Sequence, residues 1–347
     1  MVYKDFYLVI AFLTLKITMK THVITVLSLC LSLLVGCQQS VDDLTVNEEC
    51  PISIEASIGD AGGSRYSGDE PNDAAFAIRD NIGLAYKVGT VTTDFVQWTL
   101  NDGFWNPATE MNWKNIGDDH TFYAFYPYKT GASLSKVPMP ALTDQNGTMP
   151  SVAAHDFLVA TKIMKYSNGG KVSFTDSNAF GHVSSLVVLT LKNAGDLASA
   201  KINNISLEGT DLVAESTYSF DDGEVAWIDS RDSDDIMSAN ISTENSAMVG
   251  DFRKFYFVVN SGTVNLSEVT LGITYTSAGG EVYKASKTDL SKTGGHTQFQ
   301  KGHSYNYGIT ITTDQILTIS GHTINTWQNG DSFDITIDNS QKQNQNS

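Results

Sequence analysis

Apolar and polar residues alternate along much of the chain after position 50. Ile52, Ile54, Ala56 and Ile58 are separated by Ser53, Glu55 and Ser57. That period of two puts one face of an extended segment in a core and the other in water. The segment stops at Gly59-Asp60-Ala61-Gly62-Gly63-Ser64-Arg65, a loop by composition. The same period returns at Ser184–Leu191, where Val187, Leu189 and Leu191 share a face, and at Val269, Leu271, Ile273 and Tyr275. It returns again at Tyr305, Tyr307, Ile309 and Ile311, and at Phe333, Ile335 and Ile337; Phe122–Tyr128 is strand-like too. No window after residue 40 carries a long helical period, and Ala194–Ala200 allows one short turn at most. Strands at short spacing, with Gly, Asn and Asp between them, predict an all-β protein built of sandwiches.

The chain has 347 residues, which fits about two domains of roughly 150 residues. Ser167-Asn168-Gly169-Gly170 is polar, glycine-rich and central, so it is the expected linker. It divides the body into an N-terminal domain, 49–168, and a C-terminal domain, 169–347, each of a size that suits a sandwich. No periodic repeat is visible, which disfavours solenoids and propellers. The polar tail Gln341–Ser347 is expected to fray.

The N-terminal segment is patterned differently. Met19-Lys20-Thr21-His22 precedes a largely apolar run from Val23 to Val35, followed by Gly36-Cys37. A short positive region, a run of about 13 residues and small residues at its end are the parts of a secretory signal. The run is too short for a membrane-spanning helix, which needs about 20 residues. Leu34-Val35-Gly36-Cys37 resembles the bacterial lipobox, whose Cys is acylated and becomes residue one after cleavage. Residues 1–36 are therefore expected to be a signal peptide, with Met19 a better start than Met1, and 37–48 a lipidated linker. Each acyl CH₂ buried in lipid contributes about 0.8 kcal/mol.

Composition narrows the function classes. Hydrophobic residues make up 41% and charged residues 18%, and 16 Phe, 14 Tyr and 5 Trp supply ample area for a core. With 22 basic and 39 acidic residues the net charge is −17. A nucleic-acid binder needs clustered Lys and Arg, so nucleic acid is not an expected partner. Of three cysteines, Cys30 lies in the signal and Cys37 ends it. Cys50 is left alone, and folding must rest on core and sheet pairing.

Motifs for chemistry are missing. The sequence has no His-Glu-x-x-His, no Gly-x-Ser-x-Gly, no phosphate loop and no dinucleotide fingerprint. His182 reads as a core or edge histidine bonded to backbone, and His155-Asp156 would point to opposite faces of a strand. Asp229, Asp232, Asp234 and Asp235 lack the spacing of a calcium loop. Trp98, Trp105 and Trp113, with Tyr123, Phe125, Tyr126 and Tyr128, are better read as core and cross-strand pairs than as a sugar-stacking platform. No catalytic residue, metal or cofactor is expected.

Several elements occur in an order that resembles the fimbrillin-type (type V pilin) lipoproteins of Bacteroidales, especially the minor-fimbrillin-like branch. They are Leu34–Cys37, Ile52–Ile58 followed by Ser64-Arg65, Asp80-Asn81-Ile82-Gly83-Leu84, and Trp113 with Thr121–Tyr128. Asp156–Ala160, Phe180-Gly181-His182, Lys301–Ile311 and Ile324–Trp327 complete the series. The resemblance implies two tandem transthyretin-like Greek-key β-sandwiches and attachment to the outer membrane through acylated Cys37. It also implies assembly with other fimbrial subunits into surface fimbriae, and adhesion to a host or bacterial surface receptor. In that family a trypsin-like protease cuts after an Arg in the loop behind the first strand, and a strand from a neighbouring subunit fills the groove. Arg65 matches that position; the other reading is an ordinary turn arginine. Phe333–Ile337 and Ile316–Ser320 alternate with period two and are the candidate fillers. The alternative function is a monomeric surface glycan-binding lipoprotein, distinguished by whether the aromatic rings of Trp98–Tyr128 lie exposed or in the core.

Overall fold

The computed structural model describes residues 50–59, 75–192, 200–209, 212–228, 236–240, 248–249, 252–262, 264–277, 279–291, 297–311 and 317–327. All belong to one contact unit, Cys50–Ser347. The first half contains β1 (Ser53–Ala56), β2 (Asn81–Val88), β3 (Val91–Thr92), β4 (Val96–Asn101), β5 (Phe104–Pro107), β6 (His120–Tyr126) and β7 (Val137–Pro138). A helix α1 (Met149–His155) follows, then β8 (Leu158–Met164), β9 (Lys171–Phe174) and β10 (Gly181–His182). The second half runs through β11 (Ser185–Lys192), β12 (Lys201–Glu208), β13 (Glu215–Tyr218), β14 (Val225–Ile228), β15 (Ile236–Asn240) and β16 (Met248–Val249). It ends with β17 (Phe252–Val259), β18 (Thr270–Thr276), β19 (Val282–Thr288), β20 (His303–Ile311) and β21 (Leu317–Thr326). The expected all-β class is found.

A seven-stranded sheet runs β10-β8-β6-β2-β4-β5, with β3 on β2. Its two faces follow the period of two in the sequence. Ile82, Leu84, Tyr86 and Val88 of β2, with Phe122, Ala124 and Tyr126 of β6, point into one core shared with β1 and β9. Ala85 and Phe125 point the other way, into a second cluster closed by the sheet β14-β13-β7. Gly83 faces Phe125 in register, and a Cβ there would lie 2.3 Å from the Phe125 ring. Only glycine lets the ring lie on that strand.

In the second half, the five-stranded sheet β16-β17-β11-β20-β21 and the four-stranded sheet β15-β12-β18-β19 enclose a third cluster. β11 is central, antiparallel to β17 and parallel to β20. Its sequence suggested one buried face, yet Leu186 and Val188 are as buried as Val187 and Leu189. The region around α1 is one reason, because Leu142, Met149 and Val152 join the same cluster. The helix itself was not legible in the apolar period. Seven residues are too few for one, and its signals are local: Thr148 Oγ1 accepts from the Ser151 N–H, and Pro150 sits in the first turn.

Ser167–Gly170 forms a turn whose last residue, Gly170, is buried. The Gly170 carbonyl accepts a 3.0 Å bond from the buried Trp113 Nε1, and Val172, Phe174 and Phe180 lie in the core that contains Ile52 and Ile54. Residues 169–180, which composition assigns to the C-terminal half, thus pack with the N-terminal half. The chain changes cores after Phe180.

Candidate functional site

The first strand and its seat form the candidate site. The Trp113 N–H donates to the Cys50 carbonyl, and the Ile52 N–H to the Met111 carbonyl, each at 2.9 Å. β1 then pairs in parallel with β9, from Ser53 opposite Lys171 to Ala56 opposite Phe174. Past the strand, Ser57 donates to Phe174, Phe180 donates to Ser57 and Gly59 donates to Phe180, all at 2.9 Å. Every one of these partners lies beyond residues 60–74 in the chain. Among the described residues, the strand is therefore fastened to segments that come after residue 74.

Its inward side chains are well covered: Ile52 is 6% exposed, Ile54 8% and Ile58 2%. Three isoleucines contribute about 5–9 kcal/mol of burial before the cost of ordering the strand. Outside, Lys171 Nζ meets Glu55 Oε2 at 2.6 Å, but both side chains are about half exposed, at 47% and 52%. Such a pair adds little. The floor is aromatic: Phe76 packs edge-on against Trp105 and Phe180 at 5.2 and 5.1 Å, and Phe174 meets Phe180 at 5.7 Å. Ile58 and Phe76, on either side of residues 60–74 in the chain, meet the same core.

Cys37 and Arg65 lie outside the described residues, as do Phe333–Ile337 and the acidic residues Asp229, Asp232, Asp234 and Asp235. Of the other candidate filler, residues 317–320 belong to β21 and pair with β20 of the same chain, Ile319 opposite Ile309. That run is engaged in its own sheet. The tryptophans do not form a surface platform: Trp98 is 1% exposed, Trp113 5% and Trp105 9%. Tyr123 and Tyr128 are half-buried at the second cluster.

His182 differs from expectation. Its Nδ1 lies 2.9 and 3.1 Å from the two oxygens of Asp156, and both residues are buried. Trp327 stacks on the imidazole, centroids 4.0 Å apart and planes 8° apart. Asp156 follows α1 and His182 lies where the chain leaves the first core, so no local spacing could have paired them. The neighbouring His155 is occupied elsewhere, with Nδ1 at 2.6 Å from the Ser151 carbonyl and Nε2 at 2.9 Å from that of Thr143. Among the described residues no cluster of three His, Cys, Asp or Glu side chains could hold a metal. No helix among them is long and apolar enough to cross a membrane.

Comparison with known proteins bears on this arrangement. The fimbrillin-like family model matches residues 70–327. No curated protein matches the chain. In structure the chain is similar to a candidate cell-adhesion protein from Bacteroides uniformis, at 18% identity and a TM-score of 0.56, over 84% of this chain and 100% of that one. A second candidate cell-adhesion protein, from Bacteroides ovatus, is 16% identical with a TM-score of 0.56, over 82% of this chain and 100% of that one. At this identity the likeness shows a shared all-β fold.

Proposed function

Because the chain belongs to the fimbrillin-like family, we propose that it is a structural subunit of cell-surface fimbriae, without enzymatic activity, that supports adhesion. It is exported as a lipoprotein, held in the outer membrane through acylated Cys37, and joined to other fimbrial subunits by donation of a strand. Its body consists of two tandem sandwiches. The observation that favours this reading is the seat of β1, whose described backbone partners all follow residue 74. A cut after Arg65 would leave the strand held by non-covalent contacts alone. Its departure would uncover apolar side chains and the edge of β9 together, which is what a donated strand needs. A groove on one side and a donor elsewhere give open, head-to-tail polymers. Phe333–Ile337 is the preferred donor, since residues 317–320 are paired within their own sheet.

Electron microscopy of the mature protein, with and without limited trypsin, tests the assembly step. Filaments are expected after cleavage only, and Arg65→Ala should stay monomeric under trypsin. If Arg65→Ala polymerises as wild type does, Arg65 is only a turn residue. Separately, Cys37→Ala should take up no radiolabelled acyl chain.

A further inference from the structure

Among the 39 acidic residues of the chain, only Glu55 and Asp334 stand between two apolar residues. Their surroundings match as well. Ser53-Ile54-Glu55-Ala56-Ser57-Ile58 and Ser332-Phe333-Asp334-Ile335-Thr336-Ile337 agree in kind at successive positions: serine, apolar, acidic, apolar, hydroxyl, apolar. A period of two alone does not require this, since any polar residue suits the outward positions of a strand. The first segment is β1 with its continuation to Ile58. Its Ile54 and Ile58 are buried, and the half-buried Ala56 packs against the same core. On the outward side, Glu55 meets Lys171 at 2.6 Å.

β9 fixes how a second segment of this kind would lie. Ser53 pairs with Lys171 and Glu55 with Ser173 in a parallel ladder. Laid in the same register, Ser332 stands opposite Lys171, and Asp334 takes the place from which Glu55 reaches the ammonium. A slip of two residues puts Thr336 or Ser332 in that place and forfeits the ion pair. The root of the tail points to another copy as the source. Trp327 stacks on His182, and its N–H donates to the Gly302 carbonyl at 2.6 Å. Ile58 bridges Phe180 in parallel, and Gly181 and His182 lead on from there. The tail is thus rooted past the end at which β1 finishes, whereas Ser332 must enter at the end where β1 starts. Ser332 comes five residues after Trp327, a span of about 18 Å at most. The run from Ser53 to Ile58 takes about 17 Å by itself. Nothing remains for the turn into the chain's own seat.

We propose that residues 332–337 of a second copy of this chain occupy the seat of β1 in this register, with Asp334 paired to Lys171. The inference rests on the strand-donation reading and names its donor, its register and the residue that selects it. Phe333 and Ile335 are larger than Ile54 and Ala56, so the incoming strand brings more apolar area than the one it replaces, which gives the exchange its direction. Filament growth of the full mature chain, cut by an arginine-specific protease and followed by light scattering and electron microscopy, tests it. Lys171→Glu and Asp334→Lys should each slow growth about fivefold at low salt, the scale of one exposed ion pair. Mixing the two variants in equal amounts should restore the wild-type rate, because each seat then meets a donor of opposite charge on a different chain. If wild type forms filaments and both variants grow as fast, the register and the role of Lys171 are wrong while strand donation stands. Slow variants that mixing does not rescue also overturn the pairing. A cleaved wild type that forms no filaments overturns strand donation, and this inference with it.

Discussion

Gly170 has a φ of +84°, and a Cβ on it would lie 2.6 Å from the Pro51 carbonyl and 3.0 Å from Trp113 Nε1. Its neighbour Gly169 has a φ of +68° with nothing within 4 Å. The pair separates two costs at adjacent positions. Gly169→Ala should lose only the backbone preference, about 1–2 kcal/mol. Gly170→Ala should lose clearly more, because the backbone strain of about 1–3 kcal/mol is joined by a clash under the first strand. Urea denaturation of the two variants checks the order; equal losses would mean that Pro51 moves aside freely. The buried tyrosines make a second expectation. Burial raises the pKa of Tyr86, Tyr218, Tyr305 and, most of all, Tyr307. A phenol whose pKa is raised by folding keeps its proton in the native state while the unfolded chain loses it above pH about 10. Stability should thus be insensitive to these groups at neutral pH and fall as pH rises past about 10. Denaturant midpoints from pH 7 to 11 check it.

At the scale of elements, the edge of β17 is closed by a side chain. Val258 N–H donates to Gln145 Oε1 at 2.7 Å, Gln145 Nε2 donates to the Val258 carbonyl at 2.8 Å, and Tyr256 N–H donates to the Gly147 carbonyl at 2.9 Å. One amide thus imitates a partner strand for the residue it faces. Gln145→Ala should leave both backbone groups of Val258 without partners, at a cost of about 1–3 kcal/mol. It should also expose an edge that promotes association. Equilibrium unfolding and sedimentation velocity read the two effects. A variant as stable and as monomeric as wild type would mean that water serves the edge as well. Nothing in the chain around Gln145 marks it for this role, because its partner lies 113 residues away.

At the scale of the molecule, segments cross between the two halves. Residues 169–180 pack with the first core, and Leu142, Met149 and Val152 pack with the core of the second half. β7, from the first half, pairs with β13 of the second. Elements that share cores in this way should melt together, so calorimetry should find one cooperative transition. Two well-separated transitions would show that the halves fold independently despite the exchange. Limited trypsin should cut after Arg65 before it cuts within β9, where Val172 and Phe174 are buried.

The strand positions and their inward faces were legible in the sequence. A pleated chain exposes alternate residues to opposite sides, so Ile52, Ile54 and Ile58 had to share a core and Leu271, Ile273 and Tyr275 had to share another. Side-chain size also marked the aromatics as core, since rings as large as Trp98 and Phe122 bury well between strands. Tertiary structure decided what depends on contacts between distant residues. It joined Asp156 to His182 and Trp327, Gln145 to Val258, and Trp113 to Gly170. It also turned a glycine-rich stretch that looks like a linker into a turn under the first strand. Composition reports how freely a segment could move alone, whereas burial against a remote partner fixes whether it does.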